Sequence, residues 1–233
     1  MKLLIIIPAY NEELSIVSVI SELQIQCPFY DYLIVNDGSR DNTANICRDM
    51  RFHFLDLPVN VGLAGAVQAG MQYASKNGYD MVLQFDGDGQ HIPKYISFLC
   101  ESMKKDDSVS VVIGSRFVAN KKSFNSRMIG SRMISLLIRL VTGVRITDPT
   151  SGMRLYGKKI INEFAWNLNY DPEPDTLVYL IRNGIKVIEE PVEMREREHG
   201  ESYLHFTRAL RYMLRISVSI LFIQWFRKRR KTG

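Results

Sequence analysis

Cysteine is scarce in this chain: Cys27, Cys47 and Cys100 are the only three in 233 residues. Their odd number and scatter give neither a zinc-ligand spacing nor a disulfide framework, which fits buried thiols in a reducing compartment. His91, His199 and His205 lack the helical spacing of metal ligands and read as residues behind a site or at an interface. Long apolar runs are missing as well. Leu3 to Ile7 is short, ends at Pro8 and leads into Glu12 and Glu13, so it reads as a buried first strand and not a signal peptide. The segment from Arg127 to Val141 is apolar but interrupted by Arg127, Arg132 and Arg139, and Ile216 to Phe226 is too short to cross a bilayer. There are no internal repeats, low-complexity tracts or disordered linkers. Acid is absent from residues 207–233, which hold eight of the 30 Lys and Arg residues, so the net charge of +5 belongs to the C-terminus and not to the body.

What remains is an ordinary globular composition, 46% hydrophobic and 24% charged, enough for one domain with an appendage. Short apolar strands alternate with helices. Lys2 to Ile7, Tyr32 to Val35, Phe52 to Leu57, Met81 to Phe85, Val109 to Ile113 and Ile185 to Val192 read as strands. Between and after them, helices are expected over Glu13 to Gln24, from Asp41 or Thr43 to Met50, through Ala74, from Pro93 to Met103, over Arg127 to Val141, near Lys158 to Phe164, and through Arg182. This rhythm predicts an α/β fold with a mostly parallel sheet covered on both faces. Ligands then bind beyond the carboxyl ends of the strands, where Glu12, Asp37, Asn60 and Asp86 can meet.

The most informative stretch is Asp86-Gly87-Asp88-Gly89-Gln90, at the end of an apolar strand. Side chains two apart lie on one side of extended backbone, so Asp86, Asp88 and Gln90 can converge. Converging carboxylates repel unless a cation lies between them, and oxygen-only ligands suit magnesium or manganese. The competing reading is a polar Asp-Gly turn. Other acids have similar alternatives: Glu12 and Asp37 as helix caps, Arg116 as a strand-end ion pair, Arg127 as a solvated helix position, and Glu173 and Asp175 as surface acids capping the helix toward Arg182. Phe206 to Phe226 places Arg208, Arg211 and Arg215 along one side of an apolar helix, followed by Arg227 to Lys231. It reads as a membrane-surface helix with a polybasic tail, the alternative being a helix docked on the core. The expected domains are 1–204 and 205–233.

Pro8-Ala9-Tyr10-Asn11-Glu12, Asn36-Asp37-Gly38-Ser39-Arg40-Asp41, Asn60-Val61-Gly62, Asp86-Gly87-Asp88 and Gly114-Ser115-Arg116 occur in this order. With them the chain resembles the family 2 glycosyltransferases of the GT-A fold over about residues 2–204. Asp148-Pro149-Thr150-Ser151-Gly152-Met153 and Arg197-Glu198-His199-Gly200-Glu201-Ser202 resemble the acceptor-side and closing motifs of dolichol- and polyprenol-phosphate sugar synthases. The resemblance implies that Pro8, Tyr10, Glu12, Asp37 and Asn60 lie on the nucleotide side. It implies that Asp86, Asp88 and Gln90 hold Mg2+ or Mn2+ on the donor diphosphate, with Asp88 also catalytic. It further implies that Arg116, Arg127 and Ser131 grip an acceptor phosphate, Arg197 lies against the donor diphosphate, and Ser202 belongs to the closing loop. Tyr203 departs from the lysine often found there. Tyr170 to Asp175 is similar to bacterial relatives that load undecaprenyl phosphate, often beside a small integral membrane partner.

The expected function is inverting transfer of a hexosyl or N-acetylhexosaminyl group from a nucleotide-sugar, taken as UDP-linked, to polyprenyl phosphate for cell-envelope glycan synthesis. The expected location is peripheral, on the cytoplasmic side of the membrane, with no nucleic-acid partner. Two alternatives stand beside it: transfer to a glycan hydroxyl with Asp175 or Glu173 as base, and a silent membrane-binding module that retains nucleotide-sugar recognition.

Overall fold

The computed structural model describes residues 1–118, 126–167, 172–196 and 206–223. Its first half builds a parallel sheet from β1 (Leu3–Ala9), β2 (Asp31–Asn36), β3 (Phe54–Asp56) and β4 (Met81–Gln84), connected by α1 (Ile16–Gln26), α2 (Thr43–Asp49) and α3 (Gly62–Lys76). A single 3-10 turn at Pro93–Tyr95 opens α4 (Ile96–Lys104), and β5 (Val109–Ser115) follows. After α5 (Ser126–Thr142) come β6 (Arg154–Gly157), α6 (Lys158–Trp166), α7 (Pro174–Arg182), β7 (Lys186–Pro191) and α8 (Phe206–Val218), the last running into a π-helical turn at Ser219–Ile223.

The strand order is β3-β2-β1-β4-β6-β5-β7. The mostly parallel sheet expected from the strand and helix rhythm is therefore present. One strand was not foreseen: β6 runs antiparallel to both neighbours, β4 and β5. It is only four residues long, begins with a charged side chain and carries no alternating pattern, so it reads as loop in the sequence. Because β6 is reversed, its first residue, Arg154, lies at the edge where the parallel strands end, opposite Gln84 and Ile113.

The central strands are buried on both faces, which is why β1 is a continuous run of large aliphatic residues. Leu4 and Ile6 join the core formed with Ala66, Val67 and Met71 of α3 and Ile160 and Phe164 of α6. Leu3, Ile5 and Ile7 face the opposite core, built with Ile16, Ile20 and Leu23 of α1 and Leu99 and Met103 of α4. Each such buried aliphatic side chain contributes about 1.5–3 kcal/mol. The three cysteines are buried in or beside these layers. Desolvation holds the Cys47 and Cys100 thiols up at about 11, away from the reactive thiolate range.

The C-terminal helix lies on the first of these cores. Ile216 and Ile220 are buried there, and Gly130 of α5 lets Met213 of α8 come so close that a Cβ at position 130 would overlap the Met213 sulfur. One face of the basic helix is thus docked on the body. Its other side leaves Leu214, Val218, Leu221 and Phe222 exposed, and α5 leaves Met133, Leu136 and Leu140 exposed. Among the described residues, no helix is long and apolar enough to cross a membrane.

Candidate active site

The site is assembled at the carboxyl edge of β1, β2 and β4. Asp37 donates its backbone N–H to Ala9 O (2.9 Å), tying the end of β2 to the end of β1. Its side chain is 3% exposed and accepts a hydrogen bond from Val61 N at 2.7 Å, while Asn60 Nδ2 donates to Asp37 O at 3.1 Å. Asp37 therefore fastens the loop before α3, not the helix that follows it directly. Gly38 makes this possible. With φ of +61° it occupies the left-handed region, and a Cβ there would lie 2.5 Å from Val59 C and 2.6 Å from Asn60 N.

The loop after β1 is held by the same neighbourhood. Asn11, with φ of 58°, receives Arg40 N on its Oδ1 (2.8 Å) and donates its own N–H to Ser39 Oγ (3.0 Å). Glu12 N donates to Thr43 Oγ1, and Glu12 Oε2 accepts from Ser15 Oγ at 2.7 Å. A Cβ on Gly87 would meet Pro8 O at 3.2 Å and Glu12 Cγ at 3.7 Å, so the Asp86–Asp88 turn passes directly over the loop of Pro8 to Glu12. Pro8, Glu12, Asp37, Asn60 and Asp86 are brought together, as the topology of a parallel sheet requires. Tyr10 lies between Ala9 and Asn11 at the same edge.

Each carboxylate of the turn has a defined surrounding. Asp86 N donates to His91 Nδ1 at 2.9 Å, and His91 Nε2 lies 3.7 Å from Asp86 Oδ2. His91 is buried against Phe85 and stands behind Asp86, where the sequence reading had left it either behind a site or at an interface. Gln84 Nε2 donates to Asp86 Oδ1 (3.3 Å), and Asp88 Oδ1 accepts from Gln90 N (3.1 Å). Gln90 donates through Nε2 to Arg195 O (3.3 Å), which leaves its side-chain carbonyl oxygen as an acceptor. Among the described residues no group of three or more His, Cys, Asp or Glu side chains gathers as a cage. The donors expected from the sequence are two carboxylates and an amide oxygen. Such a set suits a hard cation that takes its remaining ligands from a phosphate and water.

The acceptor-side elements converge from the far half of the sheet. Arg116, just past β5, meets Asp148 side-on, and Asp148 is fully buried. Burial opposes the guanidinium charge, but the hydrogen bonds and charge of Asp148 more than offset it and hold the group further up. Glu189 of β7 accepts from Thr147 N (2.6 Å) and Asp148 N (2.7 Å), fixing the start of that loop. At the other end, Gly152 packs against Asp86, and a Cβ there would overlap Asp86 Oδ2. Ser131 of α5 is buried, and its carbonyl accepts from Ser135 Oγ (2.8 Å), which also reaches Thr147 O (3.5 Å). Ser135, one turn beyond Ser131, thus ties α5 to the start of the loop that Arg116 meets.

The Arg127 side chain, Arg197 and Ser202 lie outside the described residues. The segment leading to Arg197 is nevertheless pinned beside the carboxylates. Arg195 N donates to Gln90 O (2.9 Å), and its guanidinium forks onto Glu22 at 2.6 and 2.7 Å, holding that carboxyl below its usual range.

One sequence reading needs correction, and one residue was missed. Glu173 and Asp175 are not surface acids that serve α7 alone. Glu173 accepts from the Tyr212 hydroxyl and lies 3.5 Å from Arg215 Nη2, and Asp175 Oδ2 accepts from Ser219 Oγ at 2.6 Å. Both are partly buried and turned toward the C-terminal helix, and burial raises the Glu173 carboxyl. Arg154 was overlooked altogether. It is 2% exposed and holds the Pro149 and Ser151 carbonyls from below. Its only sequence signal was a lone arginine after a glycine turn.

Comparison with known proteins agrees with this architecture. Residues 4–164 match the family described as Glycosyl transferase family 2. An undecaprenyl-phosphate mannosyltransferase of Micrococcus luteus is 33% identical over 214 residues, covering 87% of each chain. A polyprenol monophosphomannose synthase of Mycolicibacterium smegmatis is 28% identical over 227 residues, covering 92% of this chain and 85% of the relative. Among solved structures, glucosyl-3-phosphoglycerate synthase from Mycobacterium tuberculosis, in complex with Mn2+, uridine diphosphate and phosphoglyceric acid, superposes with a TM-score of 0.70. It is 16% identical and covers all of this chain and 81% of that one, a likeness of fold. The ordered loops on one sheet edge and these matches together make the chain a member of the family 2 glycosyltransferases, with the GT-A fold.

Proposed function

We propose that this glycosyltransferase moves a sugar from a UDP-linked donor to the phosphate of a polyprenyl lipid, with inversion, at the cytosolic face of a membrane. The observation that carries the reading is the junction of Gly152 with Asp86. It joins an oxygen-rich pair of carboxylates to the loop that orients Arg116, so the two halves of a transfer site share one edge.

On the donor side, Pro8, Tyr10, Glu12, Asp37 and Asn60 would frame the nucleoside. Asp86, Asp88 and the Gln90 side-chain oxygen would hold Mg2+ or Mn2+, which when bound neutralises charge on the leaving diphosphate. Arg197 and Ser202 would close over that diphosphate. On the acceptor side, Arg116, Arg127 and Ser131 would position a phosphate monoester by directed hydrogen bonds. Such a phosphate, with a second pKa of about 6, is largely ionised near neutrality and attacks without a general base. The orientation of Glu173 and Asp175 toward α8 supports this over transfer to a glycan hydroxyl, for which one of them would have to serve as base.

The names of the relatives, which refer to polyprenol and undecaprenyl phosphate, support a lipid acceptor. So does the exposed face of α5 and α8, where Leu136, Leu140, Leu214, Val218 and Phe222 stand among exposed Arg139, Arg211 and Arg215. Residues 205–233 would form the membrane-associating part, and a small integral membrane partner is part of the same reading. The test is a panel of UDP- and GDP-sugars with undecaprenyl phosphate, read by the mass of the lipid product. A glycosyl-lipid that requires divalent cation is expected; no lipid product from any donor would overturn the proposal.

A further inference from the structure

Arg154 opens β6 as a charged group inside the protein. Its Nε donates to Ser151 O at 2.8 Å and its Nη2 to Pro149 O at 2.6 Å. Burying a guanidinium carries a desolvation penalty, offset here by the two carbonyls and by the nearby Glu173 carboxylate, whereas an apolar side chain would carry no such penalty. The charge therefore calls for a reason beyond packing, and the loop it holds supplies one. The Asp148 carboxylate of that loop grips Arg116, and Gly152 of the same loop abuts Asp86 Oδ2. Across the sheet, the partner of Arg154 is Gln84, whose amide touches Asp86 Oδ1 (3.3 Å) while its Oε1 is buried without a hydrogen bond among the described residues.

We propose that Arg154 is a positioning residue for both halves of the transfer site: by clamping the Pro149 and Ser151 carbonyls it sets the Asp148–Gly152 loop, and so fixes Arg116 on the acceptor side and Asp86 on the donor side. The guanidinium fork matters as well as the charge, because two carbonyls at different points of one loop are held together only by a rigid planar donor. Lysine in its place keeps the charge and reaches one of them. The inference rests on the proposed function for its kinetic consequences, while its structural claim stands by itself.

The test compares the full-length wild type with Arg154→Lys and Gly152→Ala in three measurements: amide hydrogen exchange, Mn2+ binding followed by electron paramagnetic resonance, and steady-state transfer. In Arg154→Lys, amides of residues 150–153 should exchange about tenfold faster or more, while those of β1 and β4 keep wild-type rates. Mn2+ affinity should fall about tenfold and kcat by at least as much, the range typical of partners that orient metal-binding groups. Gly152→Ala drives the loop from Asp86 directly and should reproduce the weaker Mn2+ binding with Arg154 intact. Wild-type exchange, Mn2+ affinity and kinetics in Arg154→Lys, with only a lower melting temperature, would overturn the proposal, since the arginine would then serve stability alone. If Arg154→Lys does not fold, unchanged Mn2+ affinity in Gly152→Ala overturns it just as well. Should the wild type neither bind Mn2+ nor transfer sugar, the functional reading fails, and loop exchange decides the role of Arg154.

Discussion

Arg116 and Asp148 meet as two parallel hydrogen bonds, Nε to Oδ2 at 2.8 Å and Nη2 to Oδ1 at 2.9 Å, with Asp148 completely buried and the arginine side chain 35% exposed. The pair spends Nε and one Nη2 hydrogen of the guanidinium on Asp148, and the partly exposed side chain has further donors besides these. A strand-end ion pair and a phosphate-gripping arginine are therefore compatible roles for the same residue. Asp148→Asn should lower stability by about 3 kcal/mol, toward the lower end for a broken buried pair because the arginine is partly solvated. It should also reduce kcat/KM for the lipid acceptor by about a hundredfold through misaligned Arg116. Denaturant melts and acceptor kinetics check both; an undisturbed acceptor kcat/KM would separate Arg116 from catalysis.

Removal of the cation should stop transfer. Chelation by EDTA is expected to abolish product and Mn2+ to restore it. Asp88→Asn should lower kcat by roughly a hundredfold or more without shifting the melting temperature, since electrostatic stabilisation at the leaving group is lost while the fold is not. Full activity in EDTA would remove the metal from the reading.

Gly38 offers a separate test of the nucleotide side. Gly38→Ala forces an L side chain into φ of +61° and into the backbone of Val59 and Asn60. Destabilisation of about 2 kcal/mol and a marked loss of UDP affinity by calorimetry are expected, because the loops after β2 and β3 must part.

The Glu173 carboxyl is raised by burial, despite the Tyr212 hydrogen bond and the charges of Arg154 and Arg215, which act in the opposite direction. A raised acid binds its proton more tightly in the folded state, so its stabilising contribution is present below the unfolded value of 4.5 and is lost as pH rises through the folded value. Glu173→Gln mimics the protonated form. Its melting temperature relative to wild type should therefore climb as pH increases from 4.5 toward neutrality, and a pH-independent difference would contradict the assignment.

The exposed face of α8 and of the π-helical turn that follows it can be probed without touching the docked one. Leu214→Glu and Phe222→Glu should each weaken sedimentation with anionic vesicles about tenfold, as expected for withdrawing one large apolar contact, while melting is unchanged. Unaltered vesicle binding would leave the helix with its docking role alone.

The layered sheet and the loops at the carboxyl edge of β1, β2 and β4 were legible because their signals are local. Continuous aliphatic strands such as Leu3 to Ile7, and the Asp37-Gly38 and Asp86-Gly87 turns, carry their geometry in their own residues. What could not be read depends on contacts far apart in sequence. Arg154 becomes a strand residue only because Gln84 and Ile113 flank it, and its charge is met by the carbonyls of the loop it folds under and by the charge of Glu173. The arginine pattern of α8 announces an amphipathic helix, but nothing in that pattern says that Tyr212 and Ser219 would seek out Glu173 and Asp175.

The reversed strand β6 has a metric consequence. Adjacent strands lie about 4.8 Å apart, so wedging one strand between β4 and β5 sets the turn that bears Asp86 about 10 Å from the strand end that bears Arg116. Were those two strands direct neighbours, the groups assigned to the leaving and attacking phosphates would crowd each other. With β6 between them, the two groups stand two strand spacings apart, and the loop that leads into β6 spans that interval, with Asp148 at Arg116 and Gly152 at Asp86.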